Sequence, residues 1–257
     1  MNELSRVALE VARVGGDVAQ RWFGRRTAVD TKFDGSPVTV ADRLAEEAMR
    51  SWLEINFPDD GILGEECGEV RPKAPRKWIL DPIDGTASFV SGVPLWGTLV
   101  SVVESDNILA GCAVFPALGE WITAAPGAGC WWNGSRVRVS DRATLDQAMV
   151  LTTAERLLAE AGRAGQWRAL SARAGHVRTW GDCYGYLLVA TGRAECMVDA
   201  RMAVWDWSPF VPIITEAGGV ISDWSGGQTS FFAGVIATNG KLANDVRAIL
   251  TASDGQA

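Results

Sequence analysis

The segment 78–86, W-I-L-D-P-I-D-G-T, constrains the fold more than any other part of the sequence, because it carries an apolar strand directly into two carboxylates. Pro82 lacks an N–H group and fixes its own φ angle, so it is expected to end sheet pairing and turn the chain sharply. Asp81 and Asp84 can then converge just beyond the carboxyl end of the strand. Gly85 allows the backbone to approach a ligand, and the N–H groups that follow open a short helix suited to an anion. The segment predicts a loop that holds divalent cations and a phosphate, although each aspartate alone is also an ordinary turn residue.

Two further acidic residues complete a candidate metal site. Glu65 follows an apolar pair in the segment G-E-E at 64–66, and by itself it resembles part of a solvated acidic loop. Asp206 stands between Trp205 and Trp207 at the start of a predicted helix, where a side-chain cap explains it equally well. A carboxylate among large aromatic side chains is costly to bury unless a cation compensates its charge.

The residue types in this set indicate which metal it would bind. His176 is the only histidine of the chain, which excludes zinc sites built on two or three histidines. Four carboxylates select a hard cation that prefers oxygen ligands, Mg²⁺ first and Mn²⁺ second. Two such ions about 4 Å apart can orient an attacking water and stabilise the leaving oxygen of a phosphate ester. Asp42, in the first turn of the second predicted helix, is explained by the helix dipole, and a supporting role near the metals stays open.

Charge and composition limit the partners. With 24 Lys and Arg against 31 Asp and Glu, the formal net charge is −7 at pH 7, which disfavours a nucleic acid partner because no cationic face is available. The longest strongly apolar stretch, 95–103, is too short to cross a bilayer, and the amphipathic amino terminus does not resemble a signal peptide. Five cysteines without a CxxC motif suit a reducing cytoplasm. These features predict a cytoplasmic protein with no membrane partner, whose ligand is a small phosphate ester.

Apolar periodicity predicts layered α and β structure in two parts. The first helix presents the stripe Leu4, Val7, Val11, Val14, Val18 and Trp22, and the second presents Leu44, Ala48, Trp52 and Ile55. Short strands follow at 78–80, 95–104, 109–115, 120–125 and 129–139, the last around an Asn133-Gly134 turn. Afterwards helices at 154–174, 184–191, 205–217 and from 241 alternate with strands at 149–152, 177–180, 194–198, 220–223 and 234–237. An N-terminal α+β part at 1–145 and a C-terminal α/β part at 146–257 are expected to share one interface.

Three ordered motifs resemble those of the inositol monophosphatase superfamily of Mg²⁺-dependent, lithium-sensitive phosphatases. They are GEE at 64–66, WILDPIDGT at 78–86, and WD at 205–206 followed by TEAGG at 215–219. The resemblance extends over nearly the whole chain. It implies a layered αβαβα sandwich of the inositol monophosphatase (sugar phosphatase) type, and it implies a homodimer.

The same resemblance implies which residues hold the metals. A first metal would be held by Glu65, Asp81 and the carbonyl of Ile83, and a second by Asp81, Asp84 and Asp206. Two or three Mg²⁺ ions per site are implied, with Mn²⁺ as the alternative cation.

The resemblance also assigns the reacting groups. Asp84, Gly85 and Thr86 would bind the substrate phosphate. Thr86 and Glu65 would orient and deprotonate the attacking water. Supporting roles fall to Lys32 and Asp42.

Within the superfamily, the second half resembles the histidinol-phosphate phosphatase branch. Segment 181–195, beginning G-D-C-Y-G-Y, is similar to that branch's G-D-C-Y-G-Y-x-L-V-A-x-G. Histidinol phosphate carries an ammonium group and an imidazole that is partly protonated near neutral pH. Asp182 and Asp199 can pair with that cationic end, whereas a neutral polyol such as inositol needs hydroxyl partners. The structural alternatives are a helix N-cap for Asp182 and a strand-end turn for Asp199.

The sequence therefore predicts a Mg²⁺-dependent histidinol-phosphatase, which would hydrolyse L-histidinol phosphate to L-histidinol and phosphate in histidine biosynthesis. An inositol-1-monophosphatase or a broad sugar monophosphatase is the alternative in the same class. A non-catalytic module that binds metal and phosphate is a third hypothesis. It is disfavoured because Glu65, Asp81, Asp84, Thr86 and Asp206 are all intact.

Overall fold

The computed structural model describes residues 1–25, 29–31, 37–227 and 234–252. Within these ranges the helices are α1 Glu3–Gln20, α2 Val40–Asn56, α3 Thr86–Val90, α4 Glu155–Glu160, α5 Ala164–Arg173, α6 Asp182–Ala190, α7 Val204–Trp207, α8 Phe210–Glu216 and α9 Ala243–Thr251. The strands are β1 Val29–Thr31, β2 Pro37–Thr39, β3 Gly61–Gly64, β4 Gly68–Val70, β5 Arg76–Asp84, β6 Gly97–Glu104, β7 Asn107–Phe115, β8 Glu120–Ala125, β9 Gly129–Trp132, β10 Ser135–Arg136, β11 Met149–Leu151, β12 His176–Arg178, β13 Cys196–Asp199, β14 Gly219–Asp223 and β15 Val235–Asn239.

Two sheets organise these elements in the described part of the chain. The larger sheet has eight strands in the order β10-β9-β8-β7-β6-β5-β3-β4, and all its pairs are antiparallel except β3 with β5. The smaller sheet has five strands in the order β12-β11-β13-β15-β14. In it, β11 runs parallel to β12 and β13, while β15 runs antiparallel to β13 and β14. β1 and β2 form a separate antiparallel pair.

The buried apolar residues stack these elements into five layers. α1 and α2 cover one face of the larger sheet, where Met49 and Trp78 belong to one cluster. α6, α7 and α8 fill the space between the two sheets around Tyr186 and Phe210. α5 and α9 cover the outer face of the smaller sheet around Trp167. The predicted αβαβα sandwich is confirmed.

The smaller sheet is covered on both faces, which explains why its central strands β13 and β15 are buried along their whole length and carry apolar residues at consecutive positions. Along β15, Val235 and Ala237 face the middle helices, whereas Ile236 belongs to the cluster beneath α9. This alternation follows the two-residue period of a strand. A sheet with two covered faces needs apolar residues at consecutive positions.

The stripe predicted on α1 lies at the edge of the buried face of that helix. Val11 is fully buried, but Val7 and Val14 are half-buried, and small residues form the centre of the face. Small residues allow α1 to lie close to α2: a Cβ atom on Gly15 would stand 2.4 Å from the sulfur of Met49. The helix was therefore predicted correctly, and its contact face only in part.

The apolar face predicted on α2 is wrong at Leu44 and Ile55, although Trp52 packs against the core cluster beneath the helix. Leu44 is 38% exposed and Ile55 is 80% exposed. The buried face instead carries the polar residues Asp42, Glu46 and Arg50 beside apolar ones. Polar side chains can be buried when hydrogen bonds satisfy them, and those of α2 are satisfied by the segments described below.

Two predicted helices are each divided in two. The predicted helix 154–174 breaks between α4 and α5, where Gly162 adopts a left-handed φ of 71°. The predicted helix 205–217 breaks between α7 and α8 at Pro209, which has no N–H to donate to the carbonyl one turn earlier. The shorter α7 leaves Asp206 close to a helix start.

Other local predictions are confirmed. The predicted hairpin forms between β9 and β10, with left-handed φ angles of 46° at Asn133 and 83° at Gly134. The strands of the larger sheet lie within 61–136 and those of the smaller within 149–239; the division into parts 1–145 and 146–257 stays a prediction. In the ranges that the structure describes, no helix combines the length and apolar character needed to cross a membrane.

Candidate active site

The pairing of β5 with β6 is irregular at the predicted metal loop. Between Asp81 and Asp84 the register shifts, so that two residues of β5 stand opposite Thr98 alone. The Thr98 hydroxyl donates to the Pro82 carbonyl at 2.8 Å. The expectation that Pro82 ends sheet pairing is therefore wrong: it forms a β-bulge, and its missing N–H falls where the ladder is already interrupted.

The bulge brings three carboxylates together. One oxygen of Asp81, one of Asp84 and one of Asp206 all lie within 4.8 Å of one another. Two of these residues come from β5 and the third from α7, so the cluster lies where the larger sheet meets the middle helices. Asp206 Oδ2 also accepts the Ala203 N–H at 2.8 Å. The cap and the metal-ligand interpretations of Asp206 are therefore compatible.

The crowding of anions perturbs the acidity of each member. Burial and the charges of Glu65 and Asp84 raise the pKa of Asp81 well above its ordinary value. Burial and the charges of Asp182 and Asp206 raise the pKa of Asp84 in the same way. Burial and Glu65 raise the pKa of Asp206 to about 7. Protonation is favoured because nearby negative charges and desolvation both oppose the carboxylate form.

Glu65 reaches this cluster from a neighbouring pair of strands. It stands in the turn between β3 and β4, and its N–H donates to the Leu80 carbonyl on β5 at 3.2 Å. Its carboxyl group shares a hydrogen bond with Asp81, and its charge raises the pKa of both Asp81 and Asp206. The structure thus brings together all four acidic residues that the sequence selected as metal ligands.

The loop after Asp81 is held by its own hydrogen bonds. The Ile83 N–H donates to Asp81 Oδ1 at 3.0 Å, and the Ile83 carbonyl accepts the Thr86 hydroxyl at 3.0 Å. Gly85 has a left-handed φ of 83° directly before α3, a conformation that other residues rarely adopt. The predicted short helix at this point is confirmed, and its use as a phosphate site stays a prediction.

The donor set fits a hard divalent cation. Asp81, Asp84 and Asp206 offer only oxygen ligands within 4.8 Å, which is the chemistry that Mg²⁺ and Mn²⁺ prefer. Asp81 is only 1% exposed, and a buried carboxylate beside two half-buried ones is costly without a compensating charge. Glu65 and the Ile83 carbonyl lie beside the cluster and could add further oxygen ligands.

Asp182 and Asp199 are joined through Thr153. The Thr153 N–H donates to Asp199 Oδ1 at 3.0 Å, and the Thr153 hydroxyl accepts the Asp182 N–H at 2.9 Å. Asp199 Oδ2 accepts the Tyr186 hydroxyl at 2.9 Å. Asp182 begins α6 with a left-handed φ of 50°, and no side chain caps that helix. The N-cap alternative for Asp182 is therefore wrong.

These two acids differ in their position relative to the metal loop. The Asp182 carboxylate lies beside Gly85, since a Cβ atom on Gly85 would stand 3.2 Å from Asp182 Oδ2. Burial and the charge of Asp199 raise the pKa of Asp182 to about 7. Burial also raises the pKa of Asp199, although hydrogen bonds from Thr153 and Tyr186 oppose the effect. Asp182 thus lies at the metal loop, while Asp199 is buried with both oxygens hydrogen-bonded.

Of the two residues expected to have supporting roles, Asp42 lies among the described residues and Lys32 does not. Asp42 Oδ2 accepts the Thr39 N–H at 2.8 Å and the Thr39 hydroxyl at 2.6 Å. The bond from the Thr39 N–H, together with the Thr39 hydroxyl oxygen accepting the Ala41 N–H at 3.1 Å, belongs to a capping box at the start of α2. A further role of Asp42 near the metals stays a prediction, and Lys32 lies outside the described residues.

Sequence reasoning missed two groups around the site. The Cys183 N–H donates to Asp84 Oδ2 at 2.5 Å, and a backbone donor leaves no mark in the sequence. Burial and the charge of Asp84 raise the pKa of the Cys183 thiol well above its ordinary value, which disfavours the thiolate form. Glu46 is fully buried behind the Glu65 turn. The spacing of Asp42, Glu46 and Arg50, four residues apart on one helix face, was the available signal.

Comparison with known proteins identifies relatives across the whole chain. A family model described as the Inositol monophosphatase family matches residues 1–254. The histidinol-phosphatase of Chlorobaculum parvum is 42% identical over 246 residues, which cover 95% of each chain. The histidinol-phosphatase of Mycobacterium tuberculosis is 35% identical and covers 96% of this chain and 97% of its own. The inositol-1-monophosphatase of Mesorhizobium japonicum is 31% identical, with 97% and 95% covered.

Solved structures show the same fold. The crystal structure of the extragenic suppressor protein suhB from Bartonella henselae superposes with a TM-score of 0.91 at 27% sequence identity. The match covers 97% of this chain and 99% of that chain. The layered architecture and the spatial order of its elements are therefore shared with these proteins.

The stability of the metal-free protein is expected to fall as the pH rises. In the unfolded chain a carboxyl group such as that of Asp206 releases its proton near the ordinary pKa of 3.8, whereas in the folded cluster it keeps the proton up to a pKa of about 7. Between these values the folded state binds more protons, and a state that binds more protons is favoured at low pH. Thermal unfolding in EDTA should give a lower Tm at about pH 8 than at about pH 5. Mg²⁺ should raise the Tm more at the higher pH, because it binds the ionised carboxylates of the folded state.

The variant Asp206→Asn serves as the comparison for this experiment. It removes one of the crowded charges, so its metal-free Tm should depend less on pH than that of the wild type. A wild-type Tm that is the same at both pH values in EDTA would contradict the electrostatic description of the cluster.

Proposed function

The chain belongs to the inositol monophosphatase family, and we propose that this phosphatase hydrolyses L-histidinol phosphate to L-histidinol and phosphate with the help of Mg²⁺. The observation that carries the proposal is the group of three carboxylates within 4.8 Å, with a further acid, Asp182, against the same loop. The cluster supports metal-dependent hydrolysis of a phosphate monoester. The additional acid supports a substrate with a positively charged end.

The chemistry of the site supports water as the nucleophile. When bound, Mg²⁺ would neutralise the phosphate oxygens and promote ionisation of a water between the carboxylates. Glu65 would accept the proton of that water, and the Thr86 hydroxyl would orient it. Thr86 donates to the Ile83 carbonyl, which fixes its hydroxyl on the side of the metal loop. The N–H groups of Gly85 and Thr86 would bind the phosphate.

Charge supports histidinol phosphate over a neutral polyol. Asp182 is an acid beside the loop that already carries Asp81 and Asp84, and its pKa is raised by burial and by Asp199. A bound ammonium or imidazolium would compensate that burial, as a charge-assisted hydrogen bond does. A hydroxyl group would leave Asp182 uncompensated. The two histidinol-phosphatases are also more similar to this chain, at 42% and 35% identity, than the inositol-1-monophosphatase at 31%.

The alternative function is hydrolysis of inositol 1-phosphate or of several sugar phosphates. It is supported by the family assignment and by the Mesorhizobium japonicum relative. The two functions would share the metal site and differ at the start of α6.

We further propose that two or three Mg²⁺ ions bind and that Mn²⁺ can replace them. The protein is also proposed to act as a cytoplasmic homodimer in histidine biosynthesis.

The metal site can be tested with Asp84→Asn. The substitution removes a carboxylate from the centre of the cluster, and phosphate release in Mg²⁺ buffer should fall by more than about 100-fold. Release of inorganic phosphate measures the activity, and circular dichroism checks the fold. Asp106→Asn, at an exposed turn, is the matched control and should keep wild-type activity. Near-wild-type turnover of Asp84→Asn would rule out the assignment.

The proton acceptor can be tested with Glu65→Gln. The amide keeps the size of the side chain but cannot take a proton, so kcat should fall by roughly 10²–10⁴, the usual range for a lost general base. Steady-state kinetics at saturating Mg²⁺ separates this effect from weaker metal binding. An unchanged kcat would remove Glu65 from the role.

The substrate can be tested with a panel of histidinol phosphate, inositol 1-phosphate and fructose 1,6-bisphosphate in Mg²⁺ buffer, with an EDTA control. A hydrogen bond between charged groups contributes about 1.5–3 kcal/mol, so kcat/KM should favour histidinol phosphate by roughly 10- to 100-fold.

Asp182→Asn should remove most of that preference. Asp199→Asn should raise KM for histidinol phosphate more than for inositol 1-phosphate. Equal effects on both substrates would contradict the assignment of these acids.

A further inference from the structure

Glu46, on the buried face of α2, is a charged residue that the proposed reaction does not use. Its side chain is fully buried, yet it carries no ligand or substrate role in the site described above. Its carboxylate accepts the Glu66 N–H at 2.7 Å and the Cys67 N–H at 3.1 Å. Both donors belong to the turn between β3 and β4, the same turn that presents Glu65.

The turn needs an acceptor at this place. β3 pairs with β4 up to Gly64 and Gly68, so residues 65–67 form the tip and lie outside that pairing. The Glu65 N–H bonds to the Leu80 carbonyl of β5, whereas the N–H groups of Glu66 and Cys67 have no partner in the β3–β4 ladder. The Glu46 carboxylate supplies that acceptor to both positions that directly follow Glu65.

Glu46 also packs tightly against Gly64, the residue that precedes Glu65 in the chain. A Cβ atom on Gly64 would stand 2.0 Å from Glu46 Oε1, so the carboxylate lies directly against the backbone that precedes Glu65. The Glu65 N–H is itself fixed to the Leu80 carbonyl of β5 at 3.2 Å. Glu46 therefore contacts the residue before Glu65 and the two residues after it.

Arg50 holds Glu46 in this orientation. Its Nε donates to Glu46 Oε1 at 2.7 Å from one helical turn away. Its Nη2 donates to the carbonyl of Gly68, on the far side of the same turn. The pair thus connects α2 to both ends of the segment that carries Glu65, and the charge of Arg50 compensates the buried carboxylate.

We propose that Glu46 is a positioning residue for Glu65, holding the turn so that the Glu65 carboxyl group stays beside Asp81 and available to a divalent cation. The inference rests on the proposed function, because it concerns the same metal site. Groups that orient metal ligands without touching the metal change metal affinity or activity by about 10–100-fold when they are removed.

The experiment uses Glu46→Gln in the full chain with Mn²⁺ as the probe and no substrate. Glutamine has the same shape but one acceptor oxygen, so at least one of the three donors loses its partner. We expect Mn²⁺ affinity, measured by electron paramagnetic resonance, to fall by about 10–100-fold. In parallel, the Mg²⁺ concentration for half activation should rise and kcat should fall, with KM for the phosphate ester little changed.

Glu216→Gln is the matched control. Glu216 accepts the N–H groups of Gly127 and Gly129 at 2.8 and 2.7 Å in the β8–β9 turn, which is the same bonding arrangement away from the carboxylate cluster. Its variant should lose stability without a change in Mn²⁺ affinity. If Glu46 had only a structural role, Glu46→Gln would also lose stability and keep its Mn²⁺ affinity. A Mn²⁺ affinity equal to that of the wild type, measured for Glu46→Gln below its Tm, would therefore overturn the inference.

A second variant keeps the test decisive if Glu46→Gln does not fold. Arg50→Met leaves the carboxylate in place but removes the guanidinium that orients it, and Mn²⁺ affinity should fall in the same direction. Unchanged affinity in this variant would overturn the inference. Failure of the wild-type protein to bind Mn²⁺ would instead overturn the proposed metal-dependent function, and the inference with it.

Discussion

Repulsion among crowded, largely buried carboxylates is the interaction on which the site depends. Asp81, Asp84 and Asp206 lie within 4.8 Å of one another, with Glu65 hydrogen-bonded to Asp81. Such a group is unfavourable in a folded protein unless protons or cations compensate it. The fold therefore concentrates an electrostatic cost at one place, and the divalent cation proposed above would relieve it. The surrounding strands and helices hold these carboxylate oxygens together in spite of their electrostatic repulsion.

Each carboxylate is held by backbone hydrogen bonds that do not require a ligand. Asp81 accepts the Ile83 N–H inside the β-bulge, Asp84 accepts the Cys183 N–H, and Asp206 accepts the Ala203 N–H. These contacts come from two adjacent layers of the sandwich, the larger sheet and the middle helices, so the geometry is fixed by the packing of that sheet against the helices. An arrangement prepared before binding loses little conformational entropy when the cation and the substrate bind.

The sequence predicted the parts of the fold and site that local chemistry determines. The DxxDGT segment, the Asn-Gly hairpin and the apolar strands follow from rules about neighbouring residues, and all were found. The α2 face was missed because its buried residues, Glu46 and Arg50, are satisfied by the β3–β4 turn eighteen or more residues away. Pro82 was misjudged because its bulge depends on Thr98 of the adjacent strand. In each case the deciding partner is distant in the chain, and no local pattern records it.

The position of Asp182 separates two tasks along the chain. The carboxylates proposed for hydrolysis belong to β5, α7 and the Glu65 turn, whereas the acid proposed to select the substrate begins α6. Thr153 bonds to the backbone of that acid, Asp182, and to the side chain of Asp199. A gene duplicate could therefore acquire a new substrate by mutation at the first turn of α6 while its hydrolytic apparatus stayed under unchanged selection. Divergence within such a lineage would then be concentrated in this short stretch, and enzymes of different specificity could keep almost identical chemistry.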